Sequence, residues 1–186
     1  MVKWIPYFID VTSVLIWLKI QSSQIAKLSR WQLTTILSAV IYVITVSYLT
    51  LAPTSYAFVG TQQVAPLMVG NVPVNLIPFW STTSDFYQNV LMMLPMGVYI
   101  ALLRPDFKAK HTVLLGLIVS VGIETLQFIL DWSVGLSRWV DINDVLTNTF
   151  GVLVGWGLVI SLQHTFLKRL IKKFTVDFSF IYHHKY

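Results

Sequence analysis

Along this chain, long uncharged runs alternate with short polar stretches. Leu33–Ala52 carries no charge and is followed by Pro53; Phe86–Leu103 is also uncharged but contains Pro95 and Gly97. Thr112–Leu130 holds a single charge, Glu124, and Val145–Leu162 holds none. Each run is 18 to 20 residues long, near the ~20 that a helix needs to cross a ~30 Å hydrocarbon core. The pattern predicts four transmembrane helices. A fifth run, Trp4–Leu18, is shorter and contains Pro6 and Asp10. It reads as a thin first span or as an in-plane anchor, and an aspartate at mid-membrane would cost about 3 kcal/mol. A cleaved leader is not expected, because no small-residue cleavage site separates this run from the basic stretch Lys19–Arg30.

Composition agrees with the pattern. Hydrophobic residues make up 55% of the 186 and charged residues 11%, against roughly a quarter charged in soluble domains. With a mean hydropathy of +0.69, an ordinary soluble domain and a disordered chain are both excluded. The expected architecture is an all-α, multi-pass transmembrane bundle of four spans plus an N-terminal fifth. There is no cysteine, so disulfides and thiolate chemistry are absent.

The net charge of +5 would suggest nucleic acid in a soluble protein. Here its placement says otherwise. Eleven of the thirteen basic residues fall in 19–32, 104–111 or the C-terminal tail. The positive-inside rule puts those segments, and therefore the C-terminus, in the cytoplasm of a cell-membrane protein. Loop 53–85, with no Lys or Arg, and loop 131–144, with three aspartates and Arg138, then face outward. Nucleic acid is not an expected partner; membrane lipids are. The long loop 53–85 is rich in Pro and Gly yet largely apolar, through Val64, Leu67, Met68, Val69, Leu76, Ile77 and Phe79. It is expected to pack on the bundle or dip into the interface. In the tail, Phe166, Leu170 and Phe174 share one helical face and Lys168, Arg169, Lys172 and Lys173 the other. This is either a surface helix on anionic lipid or a plain stop signal.

Intramembrane polar residues mark candidate chemistry. Ser120, Glu124, Gln127 and Asp131 follow one another at helical spacing, a polar stripe on an apolar helix. Asp141, Asp144 and Asn148 form a second stripe, with Asp141 placed to cap the last span. Gly151 and Gly155 continue it as a small-xxx-small pair suited to close helix packing. Asn89 opens the span that holds Pro95, whose ring frees a backbone carbonyl and bends a helix. Three uses of this set compete. Glu124 could pair with Arg138 while Asn89, Gln127 and Asn148 bond between helices, each contact contributing about 0.6–2 kcal/mol. Arg138 and the amides could bind an anionic or sugar-bearing head group. Glu124 could act as a base, or Asp141 and Asp144 as ligands of a divalent ion, although two carboxylates are a weak metal signal. No metal site and no cofactor are predicted. GxGxxG, Walker A, HExxH and GxSxG motifs are absent. The four histidines lie away from the cluster; His183 and His184 read as part of a solvated tail.

The order and spacing of these segments resemble the VanZ-like family of small membrane proteins. The resemblance is carried by NLIPF at Asn75–Phe79, by Asn89, Pro95 and Gly97 in NVLMMLPMG, by Glu124 and Gln127 in SVGIETLQF, and by RWVDINDVLTNTFGVLVG from Arg138 to Gly155. It runs from about Asn75 to Gly157; Met93 and Leu94 stand where the family usually has Phe. The resemblance implies a cell-envelope protein typical of Gram-positive bacteria. It also implies an association with low-level resistance to teicoplanin, a lipid-bearing glycopeptide, without being an enzyme that rebuilds the peptidoglycan precursor. Three functions remain open: binding or handling an outer-leaflet amphiphile, catalysis on a lipid-linked cell-wall precursor, and docking on a partner through the Gly151/Gly155 face. The expected organisation is an N-terminal hydrophobic helix and basic loop over 1–32, the bundle over 33–163 and a basic tail over 164–186.

Overall fold

The computed structural model describes residues 2–53, 67–79 and 84–176. Gly60, Val64 and Pro66 of the long loop, and the His183–His184 pair, lie outside the described residues. A 3-10 turn at Val2–Trp4 leads into α1 (Ile5–Ile25), followed by α2 (Arg30–Leu51), β1 (Leu67–Val69) and β2 (Val72–Asn75). Then come α3 (Ser84–Leu103), α4 (Ala109–Val134), β3 (Val140–Asp141), α5 (Ile142–Leu162) and α6 (Lys168–Phe174). Helices α2, α3, α4 and α5 are long and apolar enough to cross a membrane, and they match the four predicted runs, with Ala52 capping the end of α2. Their ends follow from local chemistry. Ser29 and Gln32 form a reciprocal capping box before α2. Asp141 caps α5, its Oδ1 accepting the Asn143 N–H at 2.8 Å. Gly135 stops α4 at a left-handed φ of +63°.

The bundle is apolar on its outside. Along α4, the buried positions are Thr112, Gly116, Ser120, Glu124, Gln127 and Asp131. Its exposed face carries Leu114, Leu117, Ile118, Val121, Leu126 and Ile129. In water this arrangement would expose a continuous apolar surface with nothing gained. In a bilayer it is the expected one, since lipid tails solvate leucine as well as a protein core does.

The first helix differs from its sequence expectation. It continues past Leu18 through Lys19 to Ile25, giving 21 residues and a length of about 32 Å, close to that of α2. A lysine near a helix end keeps its stem in apolar surroundings and its ammonium in the interface, so Lys19 does not end the helix. α1 turns back at 26–29 and lies antiparallel to α2. The Trp4 and Tyr7 rings pack on Tyr48 at 6.2 and 5.8 Å, and the Ser47 hydroxyl donates to Asp10 Oδ2 at 2.5 Å. Asp10 thus has a partner inside the bundle.

Helices α3 and α5 form the tightest seam. An added Cβ on Gly155 would overlap the Leu94 carbonyl oxygen, on Gly151 the Val90 oxygen, and on Gly97 the Val152 oxygen. Only glycine permits backbones this close. Met93, Ile100 and Val152 are buried beside the seam. The Gly151/Gly155 face is therefore taken by α3, so the expectation that it receives another protein's helix is replaced by an internal contact. The Tyr42 hydroxyl of α2 donates to the Met92 carbonyl at 2.9 Å, next to the Leu91 carbonyl that Pro95 leaves without its helical donor.

Strands were not expected in loop 53–85. β1 and β2 nevertheless pair antiparallel around Gly70–Asn71, with Leu67 opposite Val74 and Val69 opposite Val72. β2 runs parallel to β3, matching Val74 with Val140 and Asn75 with Asp141. Val72 and Val74 are buried, while Leu67 and Met68 are exposed.

Candidate functional site

The site forms where β3 leads into α5, at the end of the bundle that holds β1, β2 and the α4–β3 loop. α4 presents Glu124, which is 5% exposed, so that Oε2 accepts the Asp141 N–H at 3.0 Å. Asp141 holds three neighbours together. Its amide binds Glu124, and its Oδ1 accepts from both the Asn143 N–H and Asn75 Nδ2, the latter at 2.9 Å from β2. One turn on, Asp144 Oδ1 accepts from Asn89 Nδ2 of α3 at 2.6 Å, and the Asp144 carbonyl accepts from Ser120 Oγ of α4. Gln127 Nε2 donates to the Thr50 carbonyl of α2 at 2.9 Å, and Arg138 donates to the Ala52 carbonyl at 3.0 Å. Asn89, Glu124, Gln127, Arg138, Asp141 and Asp144 are thus brought together at one end of the bundle.

Two parts of the expected arrangement differ. Glu124 and Arg138 do not form an ion pair among the described residues, where Arg104–Asp106 does at 3.1 Å. The α4–β3 turn instead carries Arg138 across to the end of α2. Burial draws its guanidinium below the ordinary value, and the carboxylates of Glu124 and Asp144 oppose that shift; an arginine remains cationic throughout. Asn148 is 1% exposed, yet its Oδ1 has no hydrogen-bond partner. It is present in the cluster but does not bond between helices through that oxygen.

Other participants, apart from Asp131 of the α4 stripe, carried no distinctive sequence signal. Asn143 Oδ1 accepts the Phe79 N–H at 2.6 Å, while its Nδ2 is buried and unpartnered. Asp131, 3% exposed, accepts the Ser137 N–H at 2.6 Å. Phe79 and Ser137 both have left-handed backbones, with φ of +59° and +61°. A non-glycine residue there costs about 1 kcal/mol or more, and in both cases its amide is held by a buried side chain. Lys3 Nζ donates to the Gly135 carbonyl in the same turn. Asn71 Nδ2 donates to the Asp131 carbonyl. The 143/147 spacing, realised as the Thr147 hydroxyl bonding the Asn143 carbonyl at 2.8 Å, was the available hint that Asn143 faces inward.

Among the described residues, the unsatisfied buried side-chain atoms are Arg138 Nε, Asn143 Nδ2 and Asn148 Oδ1, together with Trp156 Nε1 deeper in the bundle. Among the described residues nothing donates to Glu124 Oε1. Nor do any three His, Asp or Glu side chains among them converge as a metal site. The cluster can therefore offer both donors and acceptors to a polar group. The sequence matches the model of the VanZ/LLP1 family over residues 39–166. No curated protein and no solved structure matches it.

Proposed function

Because the chain belongs to the VanZ/LLP1 family, we propose that it is an envelope protein that binds the polar head of an outer-leaflet amphiphile at the Glu124–Arg138–Asp144 cluster. In this reading the protein lies in the cell membrane with its basic loops and C-terminus in the cytoplasm. Residues 1–32 form a hydrophobic helix with a basic loop, 33–163 the bundle and 164–186 a basic tail. Asn89, Gln127, Asp141 and Asn148 orient the ligand around Glu124 and Arg138, and Gly151 and Gly155 fix the frame. The supporting observation is the set of buried, unpartnered atoms on Arg138, Asn143 and Asn148. A protein interior rarely leaves such groups unpaired, at a cost of about 1–3 kcal/mol each, unless something else engages them.

A lipid-bearing glycopeptide such as teicoplanin is one amphiphile of this kind, which gives a Gram-positive host an altered sensitivity to it. The test is teicoplanin sensitivity of a deletion strain complemented with Glu124→Gln or Arg138→Ala at wild-type membrane levels. The expected result is loss of complementation by both, and full complementation by both overturns the reading. The free Oε1 of the buried Glu124 favours a second reading, catalysis on a lipid-linked cell-wall precursor. There, purified protein would convert a labelled envelope lipid and Glu124→Gln would not; no turnover across a broad lipid panel overturns it.

A further inference from the structure

The opposite end of the bundle is where the basic residues gather. α5 ends at Leu162, and after one turn α6 begins at Lys168. Its far end is fastened to the bundle. The Thr35 hydroxyl donates to the Phe174 carbonyl at 2.8 Å, Gln32 Nε2 donates to the Thr175 carbonyl at 3.0 Å, and the Val176 N–H donates to the Leu102 carbonyl at 2.8 Å. Val176 is 1% exposed. One end of α6 is thus held at the end of α5 and the other at the first turn of α2, which lie at the same level of the bundle. α6 must lie across that end, in the plane of a membrane surface.

Its side chains suit that position. Lys168, Arg169, Lys172 and Lys173 place four cations in six residues. Phe166 is 90% exposed and Leu170 is also exposed. Lys173 Nζ stands 5.9 Å above the Trp31 ring, and Trp31 meets the Phe174 ring at 5.0 Å. Beside Phe174 a groove of about 300 Å³ runs between α2 and α3, with Thr34, Thr35 and Ser38 on the α2 side and Leu94, Val98 and Leu102 on the α3 side. Cations on the helix that borders it, and a trough whose α3 wall is apolar, match a molecule with an anionic head and an aliphatic chain. A soluble polyanion would use only the first.

We propose that α6 and the α2–α3 groove seat an anionic phospholipid, with the phosphate among the α6 cations and an acyl chain beside Phe174. This site is separate from the Glu124 cluster and does not depend on the function proposed for it. The test uses the full chain in detergent with equimolar phosphatidylglycerol and phosphatidylcholine, and native mass spectrometry to count retained lipids. Phosphatidylglycerol should be retained about tenfold over phosphatidylcholine, and the preference should fade on the order of 0.5 M salt, where charges are screened within a few ångströms. Replacing the four α6 cations with Gln should abolish the preference, whereas Lys→Arg at 168, 172 and 173 should keep it. Arg104→Gln with Lys108→Gln and Lys110→Gln, in the other basic loop, should also keep it. Should the Gln variant not fold, Phe166→Ser with Leu170→Ser, both at exposed positions, must still lower lipid retention severalfold. Equal retention of the two lipids, an unchanged preference in the Gln variant, or displacement of phosphatidylglycerol by inorganic phosphate would overturn the proposal.

Discussion

The middle of α5 and its first turn are held by opposite means. In the middle, Gly151 and Gly155 let α3 approach to backbone contact, with Val152 buried beside them. Shape alone does the holding there. In the first turn, Asp141, Asn143 and Asp144 take hydrogen bonds from α3, β2, the segment after β2 and their own backbone. That turn is crowded with partners, yet a buried polar atom of Asn143, and one of Asn148 a turn further on, are left over. The seam is complete as a protein structure; the cluster leaves buried polar atoms without a hydrogen-bond partner among the described residues. Rigidity is thus placed directly beneath a set of groups that the fold itself does not satisfy.

The comparison breaks most severely at the seam. Gly155→Leu should destabilise the protein by about 3 kcal/mol or more, since the new side chain would overlap the Leu94 carbonyl. Loss of monodisperse protein after detergent extraction would register it, and near-wild-type yield would show that α3 and α5 can separate cheaply. Next in size is Asp144→Ala, which removes the acceptor of the 2.6 Å bond from Asn89. A drop of about 2 kcal/mol is expected, visible as a lower melting temperature in detergent. Asn148→Leu sharpens the contrast differently. It replaces a buried amide with an unsatisfied Oδ1 by an apolar group of similar size, so stability should stay within about 1 kcal/mol of wild type or rise. Complementation in the teicoplanin assay should fall at the same time, and a stable variant that complements fully would remove Asn148 from the site. Smallest of all is Asp10→Asn at the α1–α2 contact, where the Ser47 bond is kept in neutral form. A thermal shift corresponding to less than about 1 kcal/mol is expected.

Much of this was legible beforehand because a bilayer imposes simple rules. Uninterrupted apolar runs located α2 to α5, and the spacing of Glu124, Gln127 and Asp131 identified the inward face of α4 before any contact was known. Asp141 as a cap could be read from its place ahead of an apolar run. What escaped depended on long-range pairing. The β1–β2 hairpin is short, carries a proline, and is stabilised by β3 some 65 residues later, as the Asn75–Asp141 register requires. The reach of α1 to Ile25 was hidden because a hydropathy window treats Lys19 as a boundary, although its charge sits near a helix end. Arg138 reaches the end of α2, where its partner, the Ala52 carbonyl, is a backbone atom and leaves no trace in side-chain identity.

The bond from Lys3 to the Gly135 carbonyl makes the start of the chain a neighbour of the turn that carries Ser137 and Arg138. The sequence contains no cysteine, so Lys3→Cys together with Ser137→Cys would give two unique attachment points for a fluorophore pair. Their separation would then serve as an optical gauge of that turn. Adding candidate amphiphiles to the labelled protein would reveal whether occupying the cluster moves it, without any need to know in advance what the natural ligand is.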